Sequence, residues 1–294
     1  MFYGVDNSIT WKINTSILLG PDEYGLHGCP PHCGCPENPS DCPRWYSLDS
    51  VKESAVASDL YVLDNQRKKL EHARRRAKTL CEVNEGVVGL TGGWCLKPQN
   101  NGKSIEFPNG VAYELAQFHT KPSTRIVKEL VNLFLAENVT TVNDFGAGIA
   151  QYKAAITRAL PLIHYDAYDG AGNGEEYTKG MMSFVDLTLA LDLPVAEWMI
   201  SLEVGEHIPS KYEGMFIRNL HRHNKKGVVL SWAVLGQGGH SHVNNHSNEY
   251  VIQLFEGLGY TYDDGLTKKL RLPTQNRQWF TNSVFVFRRT GFEM

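Results

Sequence analysis

Thr140-Thr-Val-Asn-Asp-Phe-Gly-Ala-Gly148 decides the reading of this chain. It is the pattern of a buried strand that ends in an acid, Asp144, and runs straight into a glycine-spaced turn, with a helix pattern beginning near Gln151. Gly146 and Gly148 have no Cβ, so the backbone there is free to lie close against a ligand. The carboxylate beside the turn accepts hydrogen bonds from an ammonium or a hydroxyl.

Working outward, a second strand over residues 162–168 ends at Asp169-Gly170. That is the spacing at which a doubly wound sheet sets an acid against a ribose. Phe184-Val-Asp186-Leu follows, then a fourth strand over 196–203 that runs into Val204-Gly-Glu206-His207-Ile. A fifth strand covers 227–232, and a helix covers 248–258, closed by Gly259. Two last strand-like segments are predicted at 266–272 and 283–288. Upstream, a helix is expected over about 123–136.

The chain has 294 residues, 42% of them apolar, which suffices for one large domain or a domain with an extension. A net charge of −3 argues against a dominant electrostatic grip on nucleic acid. No apolar run is long enough to span a membrane, and the N-terminus has no basic-then-apolar signal pattern. Whether the chain is a trimmed piece of a longer one stays open, as does its oligomeric state.

All six cysteines, Cys29, Cys33, Cys35, Cys42, Cys81 and Cys95, lie before residue 96. This divides the chain into a cysteine-containing extension, 1–106, and a cysteine-free domain, 107–294. Residues 20–45 read as an irregular loop region. The cluster there, with His27 and His32 nearby, admits a disulfide framework, a zinc site or free buried thiols. Cys81 and Cys95 flank a short loop and are placed to close it. Disulfides imply an oxidising compartment, the secretory lumen or the outside of the cell, with the cytoplasm as the alternative. Sequons at Asn14, Asn138 and Asn245 permit the former without deciding it.

Residues 49–83 read as a helix, with Leu60, Leu63, Leu70, Ala73, Ala77 and Leu80 on one face and Arg67, Lys68, Lys69, Arg74, Arg75, Arg76 and Lys78 on the other. The basic face reads as solvated, with a binding surface as the alternative. So do His221 and His223, which look like a helix end beside Lys225 and Lys226. Trp232 reads as core, and His119 and Tyr113 are candidates for a lid.

Glu203, Glu206 and His207 are spaced i, i+3, i+4 at the exit of the fourth strand, so a helical turn there would gather them on one side. Ligands of open α/β sheets bind outside the carboxyl ends of the strands. A glycine- and histidine-rich segment with His240, His242 and His246 follows the fifth strand and should face them. Carboxylates with imidazoles suit Mg²⁺, Mn²⁺, Zn²⁺ or Fe²⁺.

This series resembles the S-adenosylmethionine-dependent methyltransferases of the Rossmann-like class. The resemblance rests on Asp144-Phe-Gly-Ala-Gly148, Tyr168-Asp-Gly170, Val185-Asp-Leu187 and Ser201-Leu-Glu-Val-Gly-Glu-His-Ile208. It implies an α/β, Rossmann-like doubly wound sheet with an antiparallel last strand. It also implies S-adenosyl-L-methionine as cofactor, held by Asp144, Gly146 and Gly148 under its methionine and ribose, Asp169 on the ribose hydroxyls, Asp186 on the adenine amine, and Ser201 in the fourth motif. The third glycine usual in the first motif is missing, with Ala150 or Gln151 in its place.

The Glu-x-x-Glu-His pattern resembles two branches of that class, the small-RNA 3′-terminal 2′-O-methyltransferases and the ubiquinone-pathway O-methyltransferases. The resemblance implies a divalent ion, Mg²⁺ or Mn²⁺, on Glu203, Glu206, His207 and a later histidine. That histidine is His240 or His242, with His242 preferred. It casts His207, His242 and Glu203 as catalytic. The expected activity is O-methylation of a hydroxyl on a sugar, a glycan or another small molecule. The rivals are 2′-O-methylation of an RNA 3′ end, and a binding module that keeps the fold without catalysis.

Overall fold

A computed structural model describes residues 48–83, 88–96, 105–106, 112–113, 121–272 and 279–290, with 48–61, 105–106 and 112–113 described by their backbone alone. Cys29, Cys33, Cys35, Cys42, His27, His32, Asn14 and His119 lie outside the described residues, as does the side chain of Tyr113.

Helix α1 (Leu48–Val83) comes first, then the two-residue strands β1 (Ile105–Glu106) and β2 (Ala112–Tyr113), paired with each other. The core begins with α2 (Thr124–Ala136). Ser123 starts it, its Oγ accepting from the Ile126 N–H, and Ile126, Leu130, Leu133 and Phe134 recur at helical spacing and are buried. Then come β3 (Thr141–Phe145), α3 (Gln151–Ala159), β4 (His164–Asp169), α4 (Gly174–Tyr177), β5 (Ser183–Phe184) and β6 (Ala196–Ser201). They are followed by α5 (Glu213–Arg222), β7 (Asn224–Ser231), α6 (Asn248–Gly257), β8 (Tyr260–Tyr262), α7 (Asp264–Leu270), α8 (Phe280–Ser283) and β9 (Val284–Arg289).

Seven strands form one sheet in the order β5-β4-β3-β6-β7-β9-β8. The first five run parallel, and β9 pairs antiparallel with both β7 and β8. This is the Rossmann-like arrangement with an antiparallel last strand. Trp198, Met199 and Ile200 in β6 and Val228, Val229 and Leu230 in β7 are fully buried, as central parallel strands covered on both faces must be. The register sets Asp144 of β3 level with Ala167 of β4 and Ile200 of β6, so three strands end together on one side of the sheet. Among the described residues no helix is long and apolar enough to cross a membrane.

Two expectations are corrected. Residues 266–272 are not a strand. Asp263 accepts from the Leu266 N–H at 2.8 Å and starts α7, so the i, i+4 pair Leu266 and Leu270 faces the core on a helix. The strand in this region is β8, which follows Gly259. Nor are His221 and His223 a solvated end. His223 is fully buried, its Nδ1–H donating to the Asn219 carbonyl at 2.7 Å and its Nε2 accepting from the Leu193 N–H at 3.2 Å. His221 packs on the Tyr260 ring, and burial holds its pKa down near about 4.

Cys81 and Cys95 form a disulfide with Cα atoms 5.1 Å apart, joining the end of α1 to the loop 88–96. Closing a loop of this length removes about 3 kcal/mol of entropy from the unfolded chain.

Glu197, on β6, stitches strand ends together. It pairs with Lys226 Nζ at 2.7 Å and accepts from the Thr140 N–H at 2.6 Å and the Thr141 N–H at 3.2 Å. Burial opposes its charge, yet these bonds win and hold its carboxyl at about 2, below its ordinary 4.5. A depressed carboxylate stabilises the fold above its unfolded value, and that stability is lost as pH falls through the folded one. Glu197→Gln is therefore expected to flatten the acid limb of Tm between about pH 4.5 and 2. An unchanged limb in thermal melts across that range would contradict the assignment.

Candidate functional site

The glycine turn sits at the carboxyl ends of β3, β4 and β6. Gly146 has φ +79°, and a Cβ there would lie 2.2 Å from a methyl of Val204. The position therefore requires glycine twice, for its backbone angle and for the room. The Gly146 and Ala147 N–H groups donate to the Tyr168 carbonyl at 2.8 and 2.9 Å, tying the turn to β4. Asp169 completes the frame. Its carboxylate accepts from the Gly148 N–H at 2.7 Å and the Ala171 N–H at 2.8 Å. Burial pushes its pKa up to about 6 against the pull of those amides.

Of the residues expected to hold the cofactor, Gly146, Gly148, Asp169 and Asp186 line one cavity of about 750 Å³. Asp186 accepts from the Thr188 N–H and Oγ1 at 3.0 and 2.6 Å, which fixes its carboxylate at the wall. Asp144 and Ser201 lie behind that wall. The Asp144 carboxylate accepts from the Tyr165 hydroxyl at 2.8 Å, and burial raises its pKa to about 7. Ser201 Oγ donates to the Phe145 carbonyl at 2.8 Å. Both support the turn from beneath instead of facing the cavity.

The residues present fit a nucleoside. The volume is that of a small-molecule site, the turn offers close backbone approach, and the buried Gln151 Oε1 on the cavity wall has no hydrogen-bond partner.

The second half of the site follows β6. Glu203 adopts φ +58°, a strained angle for a side-chain-bearing residue. Its N–H donates to Ser231 Oγ at 2.7 Å, and its Oε1 accepts from Ser231 and Ser283 at 2.8 and 3.2 Å. A 3₁₀ turn, Gly205–His207, then aims Glu206 and His207 inward. Glu206 is fully buried, and neither carboxylate oxygen makes a hydrogen bond of good geometry. Burial, and then the neighbouring Glu203 carboxylate, push its pKa well up. His207 Nδ1–H donates to the Ser241 carbonyl at 3.2 Å, which leaves Nε2 as the lone-pair nitrogen, and burial holds its pKa near about 4. His242 Nδ1–H donates in the same way to the Gln237 carbonyl at 3.3 Å, and burial lowers its pKa too.

Ligand atoms of Glu206, His207 and His242 all lie within 4.8 Å of one another. A buried carboxylate held only by the weak approach of the Glu206 and Ala233 N–H groups and of Glu203, beside two neutral imidazoles, is a donor set that fits a divalent cation. Glu203 stands next to it, turned toward its serines. His240 is exposed and meets Trp94 edge-on at 6.0 Å.

The sequence reading missed what holds the histidine segment in place. The Glu206 carbonyl accepts from the Val243 and Asn244 N–H groups at 2.8 and 3.1 Å. Trp232, a core residue as expected, also donates its Nε1–H to the Asn244 carbonyl at 2.6 Å. Glu213 accepts from Asn244 Nδ2, from His246 Nε2 and from the Tyr250 hydroxyl. Asn245 Nδ2 donates to the Val234 and Gln237 carbonyls, bonds that a glycan on this sequon would break. No local pattern marks Glu213, which opens a helix thirty-one residues before Asn244.

No family model matches this chain, and no curated protein matches it. Solved structures do. The magnesium protoporphyrin IX methyltransferase of Synechocystis PCC 6803, with bound SAH, is 16% identical at a TM-score of 0.44, over 56% of this chain and 83% of that one. An O-methyltransferase family protein from Burkholderia thailandensis is 12% identical at 0.44, over 57% and 56%. The methyltransferase domain of the bacterial CtHen1 is 14% identical at 0.43, over 57% and 98%. At such identities and scores, function is read from the site itself.

Proposed function

We propose that the protein is an S-adenosylmethionine-dependent methyltransferase that methylates a hydroxyl of a sugar, a glycan or another small molecule, with a divalent metal at Glu206, His207 and His242. The carrying observation is that one cavity joins the Asp169-braced glycine turn to His207 and His242, with the buried Glu206 carboxylate directly behind them, all three ligand atoms lying within 4.8 Å of one another. When bound, S-adenosylmethionine supplies an electrophilic methyl, and Mg²⁺ or Mn²⁺ supplies Lewis acidity that lowers the pKa of a hydroxyl.

The chain's own residues do the rest. Gly146 and Gly148 admit the nucleoside, and Asp169 and Asp186 offer acceptors to its ribose and adenine. Glu206 contributes its oxygens, and Glu203, pinned by Ser231 and Ser283, stands beside it. Burial keeps His207 and His242 neutral at pH 7, so each presents an Nε2 lone pair to an ion or to the acceptor's proton. The cavity would hold the acceptor oxygen near the methyl, and positioning of this kind supplies much of such a rate. The disulfide supports an oxidising compartment.

The test is transfer of a labelled methyl from S-adenosylmethionine to a panel of vicinal diols, sugars among them. Transfer is expected to need Mg²⁺ or Mn²⁺ and to fall at least ~100-fold, about 2.7 kcal/mol, in Glu203→Ala/His207→Ala. Normal transfer by that double variant sinks the assignment. One observation favours a second reading, methylation of an RNA 3′ end: Arg76 of the basic helix lines the cavity. Affinity for a short RNA that falls steeply with salt would support it.

A further inference from the structure

Loop 88–96 forms part of the cavity wall. It is a tight turn, bridged between Val88 and Trp94, with Gly89 N–H donating to the Gly93 carbonyl at 2.7 Å. Its backbone touches the site on both sides. A Cβ on Gly93 would lie 2.3 Å from the Gly170 carbonyl oxygen, at the end of β4. A Cβ on Gly92, whose φ is +90°, would lie 2.6 Å from the His207 carbonyl oxygen, beyond β6. In the sheet, β3 lies between β4 and β6, so the loop spans the glycine turn that follows β3.

The loop is also fastened at its far end. Leu96 and Asn173 exchange hydrogen bonds, backbone to side-chain amide, both 2.9 Å. Leu96 is buried against Ile149 and Ala171. Helix α1 seats itself in the same way, with a Cβ on Gly172 falling 2.2 Å from the Ala77 backbone and Arg74 paired with Glu175 at 3.1 Å. The Cys81–Cys95 disulfide ties helix to loop, and both cysteines are buried at the cavity wall. Next to it, Trp94 meets His207 edge-on at 5.9 Å.

We propose that residues 88–96 are a strap that retains the nucleoside cofactor, latched by Cys81–Cys95, so that the thiol–disulfide state of this pair sets the rate of cofactor exchange. The inference rests on the reading of the cavity as an S-adenosylmethionine site. Unlatching is thiol–disulfide exchange with a dithiol. One thiolate of the reagent attacks a cysteine sulfur and expels the other cysteine as a thiolate. The second reagent thiol then displaces the first cysteine, which leaves Cys81 and Cys95 reduced and the reagent as its own disulfide.

The experiment measures the dissociation rate of S-adenosylhomocysteine from the full chain in four forms: native, native after dithiothreitol, Cys81→Ser/Cys95→Ser, and Gly93→Val. Gly93→Val keeps the disulfide and lifts the strap by a clash with backbone. Should it fail to fold, Asn173→Ala, which deletes the Leu96 bonds, replaces it. Release is expected to be at least ~10-fold faster than native in each opened form, a change of about 1.4 kcal/mol. Binding with release rates equal to native in the opened forms overturns the strap and leaves the cofactor site standing. Absence of S-adenosylhomocysteine binding in every form overturns the site reading, and the strap with it.

Discussion

Asp169→Ala is expected to weaken S-adenosylhomocysteine binding at least ~100-fold, about 2.7 kcal/mol. Two losses combine. The carboxylate offers oxygens to a ribose, and it also holds the turn by accepting from the Gly148 and Ala171 N–H groups. Hydrogen bonds to a charged group contribute about 1.5–3 kcal/mol each, so losing the brace alone would loosen the Gly146–Gly148 approach. Asp144→Asn serves as the contrast. Its carboxylate faces Tyr165 behind the wall, so the change should lower Tm more than it lowers affinity. Calorimetric titration and thermal melts of both variants separate the two. Equal loss of affinity in both would mean that Asp169 acts only through the fold.

Glu206→Gln is expected to make the metal-free protein more stable and to abolish its response to Mn²⁺. The native carboxylate is fully buried, has no well-formed hydrogen bond and sits beside Glu203. An unsatisfied buried group of this kind costs about 1–3 kcal/mol, and each kcal/mol is worth about 2–4 °C in Tm for a domain of this size. Gln removes, at almost unchanged volume, the cost of keeping this carboxyl protonated, or charged beside Glu203, above its unfolded pKa. In EDTA the variant should therefore melt several degrees above native. With Mn²⁺ at 100 times its Kd, native should gain about 2.7 kcal/mol and the variant almost nothing. A less stable variant that still responds to Mn²⁺ would make Glu206 a structural residue. A site that is stabler without its function is the usual mark of a group kept for chemistry.

The parts legible in the sequence were those whose cause is local. The glycine turn announced itself because a positive φ and a close approach exclude side chains at Gly146. The helices at 124–136 and 248–257 showed through their apolar period, the second also through Gly259 at its end. Asp169 was found by its distance along the chain from the turn. The errors also have local causes. At 266–272 the strand expectation fails because Asp263 caps a helix and Leu266 and Leu270 stand at i, i+4 spacing. His223 stands among charges in the chain but is enclosed by Asn219 and Leu193 in space. Asp144 ends a strand in sequence, yet its side chain turns to Tyr165.

Contacts between distant segments had no signal to read. Gly93 against Gly170, Ala77 against Gly172 and Glu213 against Asn244 each depend on two segments meeting. The glycines of the strap looked like ordinary turn residues, since the carbonyls that exclude a side chain there belong to another part of the fold.

The most direct test of the central claim is calorimetric titration of the native protein with S-adenosylhomocysteine, with and without Mg²⁺ or Mn²⁺. Saturable binding of one ligand per chain, followed by a metal-dependent second event on addition of a vicinal diol, is the result expected of this cavity. No heat under either condition would contradict the reading of the cavity as a methyltransferase site.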